Sequence, residues 1–343
     1  MTALKEFKLN NFDLLRLLAA TQVVFDHYFQ HLHILLNDWQ QALLYLFPGV
    51  PVFFVISGYL ISASYERTND LTKYFRNRIL RIFPGLWLCI FVSIFIITLT
   101  GVSFLNKQTI FWLPSQLIGL IYTPAFLSNY GFGSYNGSLW TIPIELQFYI
   151  LLPVCYLLLP KKKSVYWLGL LVVVFILLNI ISTTFTFSPI ISKLLNYSFI
   201  PHFYLFLTGM LLQKLKLYSS TMVYNQAFYW CAAYGIFSLV LYNYIDQTIF
   251  LILKSLLLAI TLLSMAYTLP GLASRLLRTN DISYGIYIYH GLFLTVIVAL
   301  QWADYVNLFT ITLISYLAGF LSWVLIEKPF IKRKEGAFRK LFN

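Results

Sequence analysis

Apolar stretches about as long as a bilayer is thick recur along this 343-residue chain, separated by short polar segments. A membrane-crossing helix needs about 20 predominantly apolar residues, whereas membrane strands show as alternating segments of about ten. The stretches here are solid, so the expected fold is all-α and polytopic. They fall near 12–33, 43–63, 79–100, 138–160, 164–185, 198–213, 226–245, 247–268, 281–301 and 305–326, giving about ten transmembrane helices. Residues 110–127 are also apolar but are broken by Pro114 and Pro124. They read as a re-entrant or interfacial segment with Trp112 and Tyr122 at headgroup level.

A net charge of +12 would point to nucleic acid in a soluble protein. Here the cations sit between apolar blocks, so they report orientation, and no nucleic-acid partner is expected. Lys5 and Lys8, Arg67 to Arg78, Lys161 to Lys163, Lys214 with Lys216, Arg275 with Arg278 and the tail from Lys328 alternate with loops holding only Lys107 and Lys193. The positive-inside bias therefore puts both termini in the cytoplasm. The first span reads as a retained signal anchor, because Arg16 interrupts its core and the apolar run continues past Ala20. The tail is suited to contact with the lipid surface. Cys89, Cys155 and Cys231 lie inside apolar blocks and read as small hydrophobes.

The first span carries residues that a structural helix would not. Ionisable groups cost about 2.5–3.5 kcal/mol or more at membrane depth, so they mark interiors and functional sites. Arg16 and His27 are eleven residues apart, within about 20° of three full helical turns, and separated by about 16 Å along the axis. They share one face, with Ala19, Ala20 and Val23 between them. That strip could carry a narrow extended chain or simply admit close helix packing. Asp26 points about 100° away from His27, so a carboxylate orienting His27 must come from elsewhere. His31 shares the face, but HYFQH lacks the glutamate of HExxH and no cysteine is near, so no metal is expected.

Three further segments carry polar groups in apolar surroundings. In LTKYFRNRILRIFPGLWL, Arg78 and Arg81 share a face near a helix start, where two guanidiniums and the helix dipole would hold an anion. Arg76 beside them is a third cofactor-contact candidate. In NGSLWTIPIELQFYILLP, Trp140 precedes Glu145, which lies about 10 Å inside the outer surface and needs a partner among His27, Arg16 and Lys254. Ser57 with Gly58 in FFVISGYL marks a close-packing candidate. ISYGIYIYH offers Tyr284, Tyr287 and His290, with His290 near mid-membrane, and His202 reads as interfacial.

Arg16 to His27, FFVISGYL, RNRILRIFP, GSLWTIPIELQFYILLP, ISYGIYIYH and the closing IEKPF occur in one order from about Leu14 to Phe330. Together they resemble the acyltransferase 3 family of multipass membrane acyltransferases. The resemblance implies one membrane domain over 1–343, with spans from about 12 to 330 and a short basic cytoplasmic tail at 331–343. It implies transfer of an acyl group, acetyl foremost, from cytoplasmic acyl-CoA to a hydroxyl of a surface polysaccharide, lipid-linked oligosaccharide or small glycoside outside a bacterial cytoplasmic membrane. By position, His27 takes the catalytic histidine's place, Arg16 that of its arginine, Arg78 and Arg81 that of the basic pair, and Glu145 that of the acidic residue. Many members carry a second acidic residue after that glutamate, where this chain has Leu146. The competing reading is a proton-coupled transporter or glycan flippase, disfavoured by the missing internal repeat. A non-catalytic scaffold would leave the Arg16 and His27 registration unexplained.

Overall fold

The computed structural model describes residues 10–68, 70–278 and 280–332. Lys5, Lys8 and the tail beyond 332 lie outside the described residues. The helices are α1 (Phe12–His31), α2 (Asp38–Leu44), α3 (Gly49–Thr68), α4 (Leu71–Leu99) and α5 (Lys107–Leu117). They continue as α6 (Thr141–Leu158), α7 (Ser164–Thr184), α8 (Pro189–Asn196), α9 (Phe203–Lys214) and α10 (Ala227–Val240). The last are α11 (Gln247–Ala266), α12 (Leu272–Leu277), α13 (Ser283–Ala299) and α14 (Leu308–Ser322). No strand occurs among the described residues.

Helix starts follow local chemistry. Asp70 accepts from Lys73 N at 3.0 Å, Asn106 from Gln108 N at 2.9 Å, and Asn307 from Thr310 N at 2.9 Å. Each side chain satisfies an amide that the first turn leaves without a backbone partner. The cap at Asp70 also corrects an expected boundary. Helix α4 begins at Leu71, eight residues before the expected 79, so Arg78 and Arg81 lie about two turns inside it. At that depth the terminal dipole no longer acts on them.

Among the described residues, six stretches are long and apolar enough to cross a membrane: Asp38–Thr68, Leu71–Leu99, Gly137–Leu158, Ser164–Thr184, Gln247–Ala266 and Leu308–Lys332. The chain is thus an all-helical polytopic membrane protein. The other expected spans coincide with helices of a different kind. Helix α1 has 20 residues but carries Asp13, Arg16 and Asp26, while α9, α10 and α13 have only 12, 14 and 17 residues. Helix α5, with 11 residues, is too short to cross alone. In α7, Leu168 and Val172 are buried while Val173, Leu177 and Ile181 are exposed. An apolar face of that kind is solvated by lipid rather than water.

The chain forms two compact units. One comprises the residues up to Ala19, Asp38–Asn69 and Gln147–Thr279. Its tightest seam joins α3 to α9, where the backbones meet at two glycines. A Cβ at Gly58 would run into the Phe206 carbonyl, and one at Gly209 into the Val55 carbonyl and to 2.8 Å from Tyr59 N. The FFVISGYL segment is therefore a close-packing site, with Ser57 buried in it. Since the obstacles are backbone atoms, Gly209→Ala is expected to cost about 1–3 kcal/mol by overpacking. Thermal unfolding in detergent checks this: an unchanged melting temperature would contradict the seam.

The second unit comprises Ala20–Asn37, Asp70–Leu146 and Asn280–Asn343. Helix α13 is its most enclosed element, with twelve of its 17 residues buried, among them Gly285, His290 and Gly291. Helix α14 passes without a break into a π-helical turn, Trp323–Glu327.

Candidate active site

Helix α13 is fixed in place before its chemistry is considered. Asp281 accepts from Ser283 N at 3.3 Å and Ser283 Oγ at 2.5 Å across the start of the helix. Asn136, just ahead of the short 3-10 segment Gly137–Trp140, donates to the Ile288 carbonyl at 2.8 Å and accepts from Ser138 Oγ at 2.6 Å. Gly291 admits this contact, because a Cβ there would lie 2.5 Å from Asn136 Oδ1 and 2.7 Å from Ser138 N. Tyr287 and Thr141 share a hydrogen bond of 2.8 Å. The GSLWTI segment and the middle of α13 therefore form one rigid seat.

That seat carries His290, which is 0% exposed. Its Nδ1 lies 3.2 Å from the Ile286 carbonyl, and its Nε2 lies 3.0 Å from Nδ1 of His27 on α1. The His31 ring stands edge-on to His27 at 5.2 Å and stacks on Phe132 at 3.8 Å with an interplanar angle of 6°. The partner expected for His27 was a carboxylate from another segment; the hydrogen bond goes to a second imidazole. Among the described residues, no group of three His, Cys, Asp or Glu is placed to hold a metal ion.

A second cluster gathers the family-like basic and IEKPF segments. Arg81 Nη2 meets Asp281 Oδ2 at 2.5 Å, and Nη1 lies 3.8 Å from Glu327 Oε2. Glu327, 1% exposed, also accepts from Ser322 Oγ at 2.9 Å. Tyr284 donates to the Ile82 carbonyl at 2.9 Å, and its ring packs where a Cβ on Gly85 would fall. Arg78 is half-buried and Arg76 exposed on the same helix.

The sequence pattern of the family described as an acyltransferase domain matches residues 9–328. The chain belongs to the acyltransferase 3 family. This acyltransferase is 33% identical to nodulation protein 10 of Rhizobium leguminosarum bv. viciae, over 94% of its own length and 93% of that protein's. It is 30% identical to the O-acetyl transferase of Shigella phage Sf6, over 46% of this chain and 49% of that one. It is also 32% identical to the O-acetyltransferase OatA of Staphylococcus aureus, over 31% of this chain and 19% of that one. No solved structure matches it.

Arg16 lies on α1 with an Asp13 oxygen 3.9 Å away. Ala19, Ala20 and Val23 are buried, so the small-residue strip is a packing seam rather than an open track. Glu145 lies within electrostatic reach of the Tyr284 and Tyr287 hydroxyls. Lys254, one of its candidate partners, donates to the Tyr45 carbonyl at 3.0 Å. Trp140 closes the 3-10 segment and is half-buried. Reading the sequence missed Asn136 and Asp281, although an Asn or Asp just before a helical run is an ordinary capping signal. It also gave Glu327 no role and left His290 without a partner.

Proposed function

We propose that this acyltransferase moves an acyl group, acetyl foremost, from cytoplasmic acyl-CoA to a hydroxyl of a glycan or lipid-linked oligosaccharide on the outer side of a bacterial cytoplasmic membrane. The observation that carries the reading is His27: an imidazole in the last third of a family-typical helix, held at 3.0 Å by the buried imidazole of His290. A neutral imidazole has one basic nitrogen that can take a proton and give it back. The O-acetyltransferase names of the phage and staphylococcal relatives support a hydroxyl acceptor.

In this mechanism His27 takes the proton of the acceptor hydroxyl. The alkoxide oxygen forms a bond to the thioester carbonyl carbon, and the carbonyl π pair moves onto oxygen. Collapse of that intermediate breaks the carbon–sulfur bond, and the departing thiolate takes the proton back from His27. Ester and free CoA are the products, and His27 returns to its neutral form. Direct attack by His27 on the thioester, giving an acyl-histidine, is the covalent variant. The CoA phosphates are assigned to Arg78 and Arg76, with Arg81 behind them. The direction of transfer rests on the sequence reading of ten spans with both termini cytoplasmic. Arg16 and Glu145 are assigned to the site by family position alone.

Purified protein in liposomes tests this, with labelled acetyl-CoA on the side of the termini and a panel of methyl glycosides on the other. Label appearing in a glycoside is the expected result. Glycoside uptake with no ester formed would replace the enzyme reading by the transporter.

A further inference from the structure

We infer that His290 is a positioning residue that fixes the tautomer of His27, keeping a proton on His27 Nδ1 and the lone pair on Nε2. The inference rests on the acyl-transfer reading above. It follows from counting protons along a chain of three groups, the Ile286 carbonyl, His290 and His27. The Ile286 carbonyl oxygen has no proton to give, so the ring nitrogen facing it at 3.2 Å, His290 Nδ1, is the donor. A neutral imidazole carries one N–H, which leaves His290 Nε2 a bare acceptor. The atom 3.0 Å from that acceptor is His27 Nδ1, which therefore holds the proton. What remains on His27 is a lone pair at Nε2, the atom that would accept the hydroxyl proton or attack the thioester.

His290 must be neutral for this chain to hold, and His27 must be neutral at rest to keep the lone pair on Nε2. Their centroids are 5.0 Å apart and His290 is fully enclosed, so two cations there would repel in a poorly screened site. A buried aspartate does the same orienting work in hydrolase triads. At membrane depth a carboxylate would bring a charge whose desolvation is expensive, and a neutral imidazole avoids it. During turnover His27 becomes an imidazolium with a proton on each nitrogen. His290 then continues to accept from Nδ1 and neither gains nor loses a proton.

The seat described above is what makes the assignment mechanical. His290 cannot rotate its ring without giving up Ile286, and α13 cannot shift without giving up Asn136 at Ile288. A methionine fills similar volume but accepts hydrogen bonds only weakly, whereas a glutamine oxygen reaches about as far as Nε2 and accepts well. The two substitutions separate packing from positioning.

The test is nitrogen NMR on the full chain with labelled histidines in detergent micelles, the His27 signals being those lost in His27→Asn. The expected wild-type pattern has the His27 proton on Nδ1. His290→Gln keeps it there, and His290→Met releases it. In the acetyl-CoA to methyl glycoside assay, His290→Met is expected to lower kcat by about 10²–10⁴-fold, the scale of losing a catalytic base or its correct tautomer. The KM for acetyl-CoA should stay near wild type, and His290→Gln should recover at least about tenfold of the lost rate. A wild-type His27 protonated on Nε2, or a His290→Met enzyme as fast as wild type, overturns the inference. A wild-type enzyme that esterifies no glycoside would count against the acceptor class proposed above, while the nitrogen signals still decide the tautomer.

Discussion

Replacing His27 by alanine is expected to lower acyl transfer by about 10²–10⁴-fold, the usual contribution of a positioned acid or base. The protein should still be found folded in the membrane, with some loss of stability. Alanine would strip His290 Nε2 of its partner at 3.0 Å, and an unsatisfied buried polar atom costs about 1–3 kcal/mol. His27→Asn separates the two effects. Its amide N–H can still donate to His290 Nε2, yet it has no basic nitrogen. The asparagine variant should therefore unfold close to the wild-type temperature and be as inactive as the alanine variant. Turnover retained in His27→Asn would remove His27 from the chemistry, in both the general-base and the acyl-histidine versions.

The largest effect on stability is expected at Arg81. Its guanidinium serves Asp281 and Glu327 together, so Arg81→Leu takes a shared cation away from two enclosed carboxylates. Removing one partner of a buried ion pair costs about 3–5 kcal/mol, a large share of the stability of most proteins. Little folded Arg81→Leu protein should be recovered from membranes. Neutralising the partners tests the cause: Arg81→Leu combined with Asp281→Asn and Glu327→Gln should restore the yield, because no uncompensated charge remains. Recovery of folded single mutant at wild-type yield would show that the cluster does not hold the unit together. The same geometry bears on the proposed acyl-CoA site. A phosphate approaching Arg81 also meets two carboxylates, and Arg78→Gln should raise the KM for acyl-CoA.

Helical character was legible because solid apolar runs admit no other membrane architecture, and caps such as Asn106 and Asn307 sharpen the boundaries. The start of α4 was misread because Leu71 to Arg78 is polar, and hydropathy does not register a helix that begins before the apolar stretch. The site was half legible. Helical periodicity is a property of one element, so it places Arg16 and His27 on a common face of α1. The contact of His27 with His290 joins positions 263 residues apart, and no local pattern encodes it. The same holds for Arg81 with Asp281, 200 residues apart. The small strip on α1 was ambiguous for another reason: side-chain size permits both a channel and a tight contact, and burial of Ala20 and Val23 decides for contact.

The π-helical turn at Trp323–Glu327 makes chain length itself a determinant in this stretch. Residues five apart are aligned there: Ser322 donates to Glu327, while Trp323 Nε1 and Lys328 Nζ both donate to Asn280 Oδ1, at 3.0 and 2.9 Å. A π turn holds about one residue more than an α turn. Wound as a regular α turn instead, the same residues would swing Glu327 and Lys328 by about 100°. Every side chain in IEKPF would be chemically intact yet aimed elsewhere, so the segment is aimed by the winding of its backbone and the one extra residue that winding absorbs.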